Sequence, residues 1–562
     1  MGLRSDAKEL FYRGCSLLDA GEPAQAIKHL ANAAALAPDS TAIMERLAEA
    51  YHFSGQLLPA LKTYDRIIER GAANQATWCA TGNALSDAGE HAQAIGAYEH
   101  GLELNGTNPE VHHNLARAHY RLGNLSGAIN HLETAAAQCE SIDPWLSLAT
   151  IIPGWPDATH EKILDVRRTF AARLKAHAPT PPSRRGRRRM SDKSRLRIGY
   201  MSAFFDQANY MKPVWGLINN HDRESFDIHL FSDCPLSHAG GYNGHPRDRM
   251  HETAKLDNGA IAELILSSGI DILVDLNAYS VPDRLPLFAQ RLAPVTIAWF
   301  NMYATSGLPG IDYIVGDRDV IRTQEEAFYS ETVLRLPVSY LTFKVTHAAP
   351  PVVEPPCRRD PGFVFGSLVA QYKVTAPVIS AWAEILNRVP GTRLLLANAQ
   401  LRSPQNCGWV QQQFSDRGVA PDRLILLPPA DHYAYLKYYN SIDIALDAFP
   451  YNGGTTTMEA LWQGVPVLTF DGDRWASRTS QSLIRNTHLG EFVTHDIRSY
   501  VETAIALAKD PSTPRRLLEL RNNMRRNLEK ASACDTHALA CSMQRLYQNC
   551  LLYTSPSPRD RG

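Results

Sequence analysis

A 34-residue period runs without slippage through the first quarter of the chain and leaves little choice of fold there. Gly14, Ala48, Gly82 and Ala116 form one column of small residues. Gly21, Gly55, Gly89 and Gly123 form a second, and Ala26, Ala60, Ala94 and Ala128 a third. Ile27, Leu61, Ile95 and Ile129 follow in register, and Leu30, Tyr64, Tyr98 and Leu132 supply the large partners. The physical reading is a pair of short antiparallel helices per repeat. The first column lets the partner helix cross closely. The second ends the first helix, where glycine meets a left-handed conformation at least cost. The third packs the second helix back on the first. Pro38 and Pro109 break the chain between repeats.

This period and pattern belong to tetratricopeptide helix pairs, so residues 1–142 are expected to form about four repeats. Such an array is a short solenoid with a concave face, suited to holding a peptide or protein partner. Asn83 and Asn114 stand where they could line the groove. The alternative is that the array only caps the chain or makes it a homodimer.

At 562 residues the chain is too long for one core. Its 57 basic and 58 acidic residues leave no net field to favour nucleic acid or a membrane surface. No apolar run is long enough to span a bilayer. The first ten residues lack the apolar core of a secretion signal. Nine scattered cysteines, with no Cys-x-x-Cys pair, fit reduced thiols in a cytoplasmic protein and give no zinc motif. His221, His229, His238, His245 and His251 lie close in sequence, but their spacing matches no compact metal motif and reads as surface loop. The expectation is a cytoplasmic protein with no resident metal or cofactor and no nucleic-acid or membrane partner.

Residues 143–195 read as a bridge. Pro144, Pro153 and Pro156 interrupt an apolar stretch holding Trp145 and Trp155, and residues 161–176 are amphipathic. The run Pro179-Thr-Pro-Pro-Ser-Arg-Arg-Gly-Arg-Arg-Arg189 then reads as a surface linker. From Leu196 strands and helices alternate. Strand candidates are 197–202, 227–232, 270–276, 295–300 and 313–316, then 363–367, 393–397, 423–427, 442–446 and 466–470. Helix candidates such as 259–268, 377–388, 409–417, 432–440 and 456–463 lie between them. Two such series predict two doubly wound lobes with parallel sheets, at 196–350 and 351–546. Ligands in such sheets bind beyond the strand C-termini. Neither lobe carries Gly-x-Gly-x-x-Gly after its first strand, which argues against a dinucleotide oxidoreductase. Residues 547–562 have no periodicity and two Ser-Pro steps, and read as a disordered tail.

Residues 447–469 carry the chemistry: Asp-Ala-Phe-Pro-Tyr-Asn-Gly-Gly-Thr-Thr-Thr-Met-Glu-Ala-Leu-Trp-Gln-Gly-Val-Pro-Val-Leu-Thr. A buried strand leads in, and Gly453 and Gly454 allow a sharp turn with close backbone approach. Thr455, Thr456 and Thr457 open a helix whose free N–H groups form an anion site. Glu459 lies one turn in, where a carboxylate could accept bonds from ribose hydroxyls. The segment suits a sugar nucleotide, although any α/β domain has glycine-rich strand-to-helix turns.

Several motifs extend this reading: Leu196-Arg-Ile-Gly-Tyr-Met-Ser-Ala203, Asp275-Leu-Asn-Ala-Tyr279, Arg291-Leu-Ala-Pro-Val295, Thr305-Ser-Gly307 with Ile311-Asp-Tyr313, Tyr329-Ser-Glu331, Gln371-Tyr-Lys373, Asn452 to Pro466, and Ala476-Ser-Arg-Thr-Ser480. From Tyr12 to about Leu546 the chain resembles bacterial SPINDLY-type, O-linked N-acetylglucosamine transferase-like proteins, glycosyltransferase family 41. The resemblance implies an α-solenoid followed by a GT-B fold. It implies inverting, metal-independent transfer from a nucleotide sugar, UDP-N-acetylglucosamine first, to serine or threonine of a protein. Lys373 takes the place of the family's lysine, which implies a partner for the diphosphate and leaving group. That agrees with charge logic, since a cation there stabilises charge that grows in the transition state. Glu459 takes the ribose position, and Asn452 shapes the turn. Gln371 falls near the nucleotide, Ser477 and Arg478 match the helix start there with packing as an equal explanation, and Asn277, Tyr279 and Thr305 face the sugar and acceptor.

The departures lie on the sugar-facing side. The loop Phe205-Asp-Gln-Ala-Asn-Tyr-Met-Lys-Pro-Val214 places Lys212 where relatives have a histidine. A lysine is a poor base unless desolvated, and could instead hold an acidic group on the sugar. Ala278, Val281 and Pro282 replace small glycine-rich positions, and Asn301-Met-Tyr-Ala304 replaces a Gly-Pro loop. Asp275, near a strand end, could reach the cleft, whereas Asp271 reads as structural. Two alternatives follow: the same fold with another donor, GDP-fucose or an acidic nonulosonic sugar for flagellin, or a scaffold that has lost transfer.

Overall fold

The computed structural model describes residues 5–177, 195–235, 240–360 and 362–554. The expected arginine-rich linker, His238 and residues 555–562 lie outside them. The chain divides into two units, residues 1–144 with 399–413, and residues 145–398 with 414–562.

In the first unit the repeat becomes four helix pairs. They are Ser5–Asp19 with Pro23–Leu36, Thr41–Phe53 with Leu57–Glu69, Gln75–Asp87 with His91–Leu104, and Pro109–Arg121 with Leu125–Gln138. The second column ends the first helix of each pair in the left-handed region, with φ of 77°, 77°, 81° and 85° at Gly21, Gly55, Gly89 and Gly123. The first column marks close crossings. A Cβ on Gly82 would lie 2.5 Å from the Tyr98 ring, and one on Gly14 would lie 2.5 Å from Leu30. Gly96, by contrast, faces open space. Gly82→Ala should therefore destabilise the protein by about 1–3 kcal/mol through overpacking. Gly96→Ala should stabilise it by about 0.5–1 kcal/mol by removing backbone freedom from the unfolded chain. Urea unfolding followed by helical circular dichroism measures both, and equal effects from the two variants would contradict the crossing.

Residues 399–413 join this unit, although their sequence position assigned them to the second lobe. Asn406 donates to the Gly89 carbonyl at 2.8 Å and accepts from the Ala92 N–H at 3.0 Å. The Ser403 hydroxyl donates to Glu90. Trp409 packs on the cluster of Ala94, Ile95 and Tyr98. These contacts grip a turn and have no periodic signature. Asn83 and Asn114 bond to each other, Nδ2 of Asn114 donating to Oδ1 of Asn83 at 3.0 Å.

The second unit holds two parallel sheets. The first contains β1 (Leu196–Ser202), β2 (Phe226–Ser232), β3 (Arg249–Glu252), β4 (Ile272–Asp275), β5 (Val295–Ala298), β6 (Tyr313–Asp317) and β7 (Thr332–Leu336), in the order β3-β2-β1-β4-β5-β6-β7. The second contains β8 (Val364–Ser367), β9 (Arg393–Ala397), β10 (Leu424–Leu427), β11 (Ile444–Leu446), β12 (Val467–Phe470) and β13 (Val493–Thr494), in the order β10-β9-β8-β11-β12-β13. β4, β5 and β8 are wholly buried, as expected of parallel strands covered on both faces. Three edge strands escaped the sequence reading. β3 is polar and exposed, β13 has only two residues, and β7 is exposed or half-buried until its last residue, Leu336.

Strand order reverses between β1 and β4 in one lobe and between β8 and β11 in the other. A crevice opens at each reversal, and there an α/β sheet binds its ligand. This is the GT-B arrangement. The closing helix, Thr536–Thr554, runs past the expected boundary at residue 546. Tyr547 is buried, and its hydroxyl lies 3.0 Å from that of Tyr200 on β1. The partner that orders this end lies far upstream in sequence, so local pattern could not reveal it. No helix among the described residues is long and apolar enough to cross a membrane.

Candidate functional site

The site is built outward from the end of β11. Asp447 follows the strand, fully enclosed, and both its oxygens are used. Oδ1 accepts from the Gly453 N–H and Oδ2 from the Thr469 hydroxyl, each at 2.9 Å. The loop between is thereby pulled into a tight turn. Asn452 reinforces it, donating to the Ala448 carbonyl at 2.7 Å and accepting from the Ser480 N–H at 3.3 Å. Gly453 is required there, because a Cβ would sit 2.5 Å from Thr456 Oγ1 and 2.7 Å from Thr457 Oγ1. The helix Thr455–Trp462 then begins at Gly454 with no side-chain cap. Its first N–H groups carry no helical partner, and Gly454, Thr455 and Thr456 are only half-buried.

Lys373 enters from the neighbouring strand. It ends the short turn Gln371–Lys373 after β8, at the reversal point, and its Nζ donates to the Asn452 carbonyl at 2.7 Å. Its charge is thus brought to the turn that starts the uncapped helix. Burial pulls the Lys373 ammonium down to about 8, against the opposing pull of Asp447. Asp447 is pushed up to about 6, again chiefly by burial. Gln371 is fully buried and accepts from the Asn398 amide at 3.1 Å, while its own Nε2 has no partner.

The other lobe contributes Lys212. It opens the helix Lys212–Asn219 instead of lying within a loop, and it is almost fully buried. Its Nζ donates to the Asn209 carbonyl and lies 3.9 Å from Glu459 Oε1. Burial lowers its ammonium to about 8, with Glu459 acting in the other direction. Glu459 also meets His432, whose Nε2 lies 2.8 Å from the same oxygen. His347 stands edge-on to His432, their rings 4.6 Å apart. Lys212 further lines a cavity of about 780 Å³ with Trp215, Asn219, Lys344, Trp462 and Asp535, which neither Lys373 nor the glycine turn lines.

Seven other residues singled out from the sequence have structural partners. The Ser477 hydroxyl donates to Asp473 at 3.1 Å and accepts from the Arg474 N–H at 3.1 Å. Arg478 is fully buried against Glu325 of the first lobe. Asn277 accepts from the Ala203 N–H at 2.8 Å. Thr305 donates to Glu331 at 2.7 Å, and the Tyr279 hydroxyl donates to the Ser306 carbonyl at 2.6 Å. Tyr279 also lies 4.1 Å under the Arg167 guanidinium, which bonds the Thr305 carbonyl from the helix His160–His177. Asp275 caps its own loop, accepting from the Asn277 and Ala278 N–H groups at 2.9 and 3.2 Å. Asp271 accepts from the Arg197 N–H at 2.9 Å.

Asp447, His432, Tyr303 and Tyr451 were not singled out. Tyr451 sits within the glycine-rich motif, and Tyr303 within the loop whose residues depart from the family pattern, so both had a signal. His432 had none beyond opening a helix. Among the described residues, no group of three or more His, Cys, Asp or Glu side chains is arranged to hold a metal ion.

Comparison with known proteins agrees with this architecture. The model of Glycosyl transferase family 41 matches residues 177–348 and 359–543, and a tetratricopeptide-repeat model matches residues 17–78 and 85–138. The chain is similar to a probable UDP-N-acetylglucosamine–peptide N-acetylglucosaminyltransferase SPINDLY of Solanum lycopersicum, with 30% identity over 63% of this chain and 38% of that protein. It is similar to the probable transferase SEC of Arabidopsis thaliana, with 30% identity over 56% of this chain and 33% of that one. The matches thus span less than two fifths of these relatives' length. Among solved structures, a lysine-to-methionine variant of the Thermobaculum terrenum O-GlcNAc transferase superposes with a TM-score of 0.76 and 26% identity, covering 91% of this chain and 98% of that one.

Proposed function

Because the chain belongs to glycosyl transferase family 41, we propose that it transfers N-acetylglucosamine from UDP-N-acetylglucosamine to serine or threonine hydroxyls of a protein recruited by the repeats. The observation that carries this reading is the meeting of Lys373 with the turn that starts an uncapped helix, at the reversal point of the second sheet. An ammonium and free amides there offer a diphosphate both charge and hydrogen bonds. In the transfer, the acceptor oxygen bonds to the anomeric carbon from the face opposite the diphosphate as the carbon–diphosphate bond breaks, inverting the centre. Lys373 and the amides of Thr455 and Thr456 take up the charge left on the diphosphate. The acceptor's proton goes to Lys212, whose amine is partly neutral near pH 8 because it is buried.

Glu459 holds the ribose in this reading, exchanging its bond to His432 for the sugar hydroxyls. The pairing of Lys212 with Glu459 bears on the rival donors. In its protonated form Lys212 already faces a carboxylate of the protein, so it does not call for an acidic sugar. A donor panel of UDP-N-acetylglucosamine, UDP-glucose, GDP-fucose and a CMP-linked nonulosonic acid tests the assignment, with release of the nucleotide as readout and EDTA present throughout. We expect consumption of UDP-N-acetylglucosamine at least tenfold above the others. Preference for an acidic or guanosine donor, or a strict need for added divalent cation, would overturn it.

A further inference from the structure

Lys373 does not stand in an ordinary polar cleft. Its Nζ lies 4.1 Å from the centre of the Tyr451 ring and 5.9 Å from that of Tyr372. The other lobe completes the enclosure. Tyr303 packs edge-on against Tyr451 with ring centres 4.9 Å apart. Aromatic faces attract a cation but hydrate it far less well than water does.

The loop that delivers Tyr303 is strained. Phe300 has φ 82° and Tyr303 φ 56°, in the region normally left to glycine. Two bulky residues so close together in that conformation need a surrounding structure that imposes it. Asn301 supplies part of it, donating to the Leu276 carbonyl at 2.9 Å and accepting from the Tyr210 hydroxyl at 2.5 Å. Tyr210 in turn packs on Phe300, ring centres 5.2 Å apart. The strain sits beyond the C-terminal end of β5, on the crevice side of the sheet, where strain marks function more often than packing.

We propose that Tyr303, acting through Tyr451, is a positioning residue. The ring pair shields the ammonium of Lys373 from water and fixes it on the Asn452 carbonyl, so that its charge is spent on the donor's diphosphate instead of on solvent. The inference rests on the transferase reading for its consequence, though not for its test. The charged group facing Lys373 is Asp447, from the end of β11. The rings around it are Tyr451 and Tyr372 from its own lobe, with Tyr303 packed on Tyr451 from the other. The Tyr303 and Tyr210 hydroxyls are held well above their ordinary range by burial.

Burial disfavours the charged form of a lysine, so admitting water must raise its titration point toward the ordinary value. The experiment is a 13Cε NMR titration of full-length protein labelled at lysine, with the Lys373 signal identified by its loss in Lys373→Arg. The wild type and Tyr303→Phe, which keeps the ring, should titrate near pH 8. Tyr303→Gly removes the ring and also suits the left-handed backbone, so it does not add strain. Tyr451→Leu removes the second ring. Both should titrate at least one pH unit higher, and the alkaline limb of kcat should move the same way. A Lys373 signal that stays in place in both variants would overturn the proposal. Absence of transfer from any donor, with the titration shifts intact, would count against the transferase reading alone.

Discussion

Lys373→Met should lower turnover by about 100- to 1,000-fold while leaving the fold intact. The magnitude is that of removing one preorganised charge from a site where charge develops in the transition state. Methionine keeps an unbranched apolar stem, so the packing against Tyr451 and Tyr372 survives and the ammonium alone is lost. Little stability should go with it. Burial already disfavours this charge in the folded protein, and its neighbour Asp447 keeps its bonds to Gly453 and Thr469 and, already pushed up to about 6 by burial, can take a proton where Lys373 is lost. The amides of Thr455 and Thr456, to which the proposed reading assigns nucleotide binding, are untouched, so the donor's KM should rise far less than kcat falls. The competing account is that Lys373 merely props the turn through the Asn452 carbonyl. That account predicts a lower melting temperature and weaker nucleotide binding, with turnover at saturation within threefold of the parent. Steady-state kinetics at saturating donor, beside a thermal melt, separate the two.

The elements that sequence reached are those whose information is local. The repeat declared itself because its first small-residue column answers to a partner within the same helix pair, Gly82 to Tyr98 and Gly14 to Leu30, and its second to a left-handed turn at each helix end. The glycine turn at Asp447–Gly453 did so because strand, turn and helix follow one another in a single run. What stayed hidden was joined across distance. Asn406 grips a turn of the repeat through backbone groups that any residue would offer. Lys212 was legible as a departure from a family pattern, but its partner Glu459 was not, because the two approach only when both lobes are folded. The strained Tyr303 loop had the same fate: its φ values have no sequence signature once glycine is absent.

Arg478 is the residue for which the sequence left nucleotide contact and packing equally open, and its replacement should cost the most stability. Resemblance places it near the nucleotide. In the structure it is fully enclosed, its Nη2 donating to both oxygens of Glu325 at 2.7 and 2.6 Å and its Nε to the Arg474 carbonyl at 3.0 Å. Glu325 belongs to the first lobe and Arg478 to the second, so the pair ties one lobe to the other. Arg478→Met should destabilise the protein by about 3–5 kcal/mol, because it leaves a buried carboxylate without its cation. The penalty comes from the charge left behind more than from the bond lost. The double variant Glu325→Leu with Arg478→Met should therefore recover most of the loss, since a buried ion pair and an apolar pair of similar volume are often nearly equal in stability. Recovery should be incomplete, because Glu325 also accepts from the Arg322 N–H at 3.2 Å and that donor would lose its partner. A residue that instead contacts the donor would behave differently. Arg478→Met would then raise the donor's KM with stability unchanged, and adding Glu325→Leu would rescue nothing. Denaturant unfolding of the parent, both single variants and the double variant closes the cycle, and a coupling free energy near zero would remove the pair from the lobe junction.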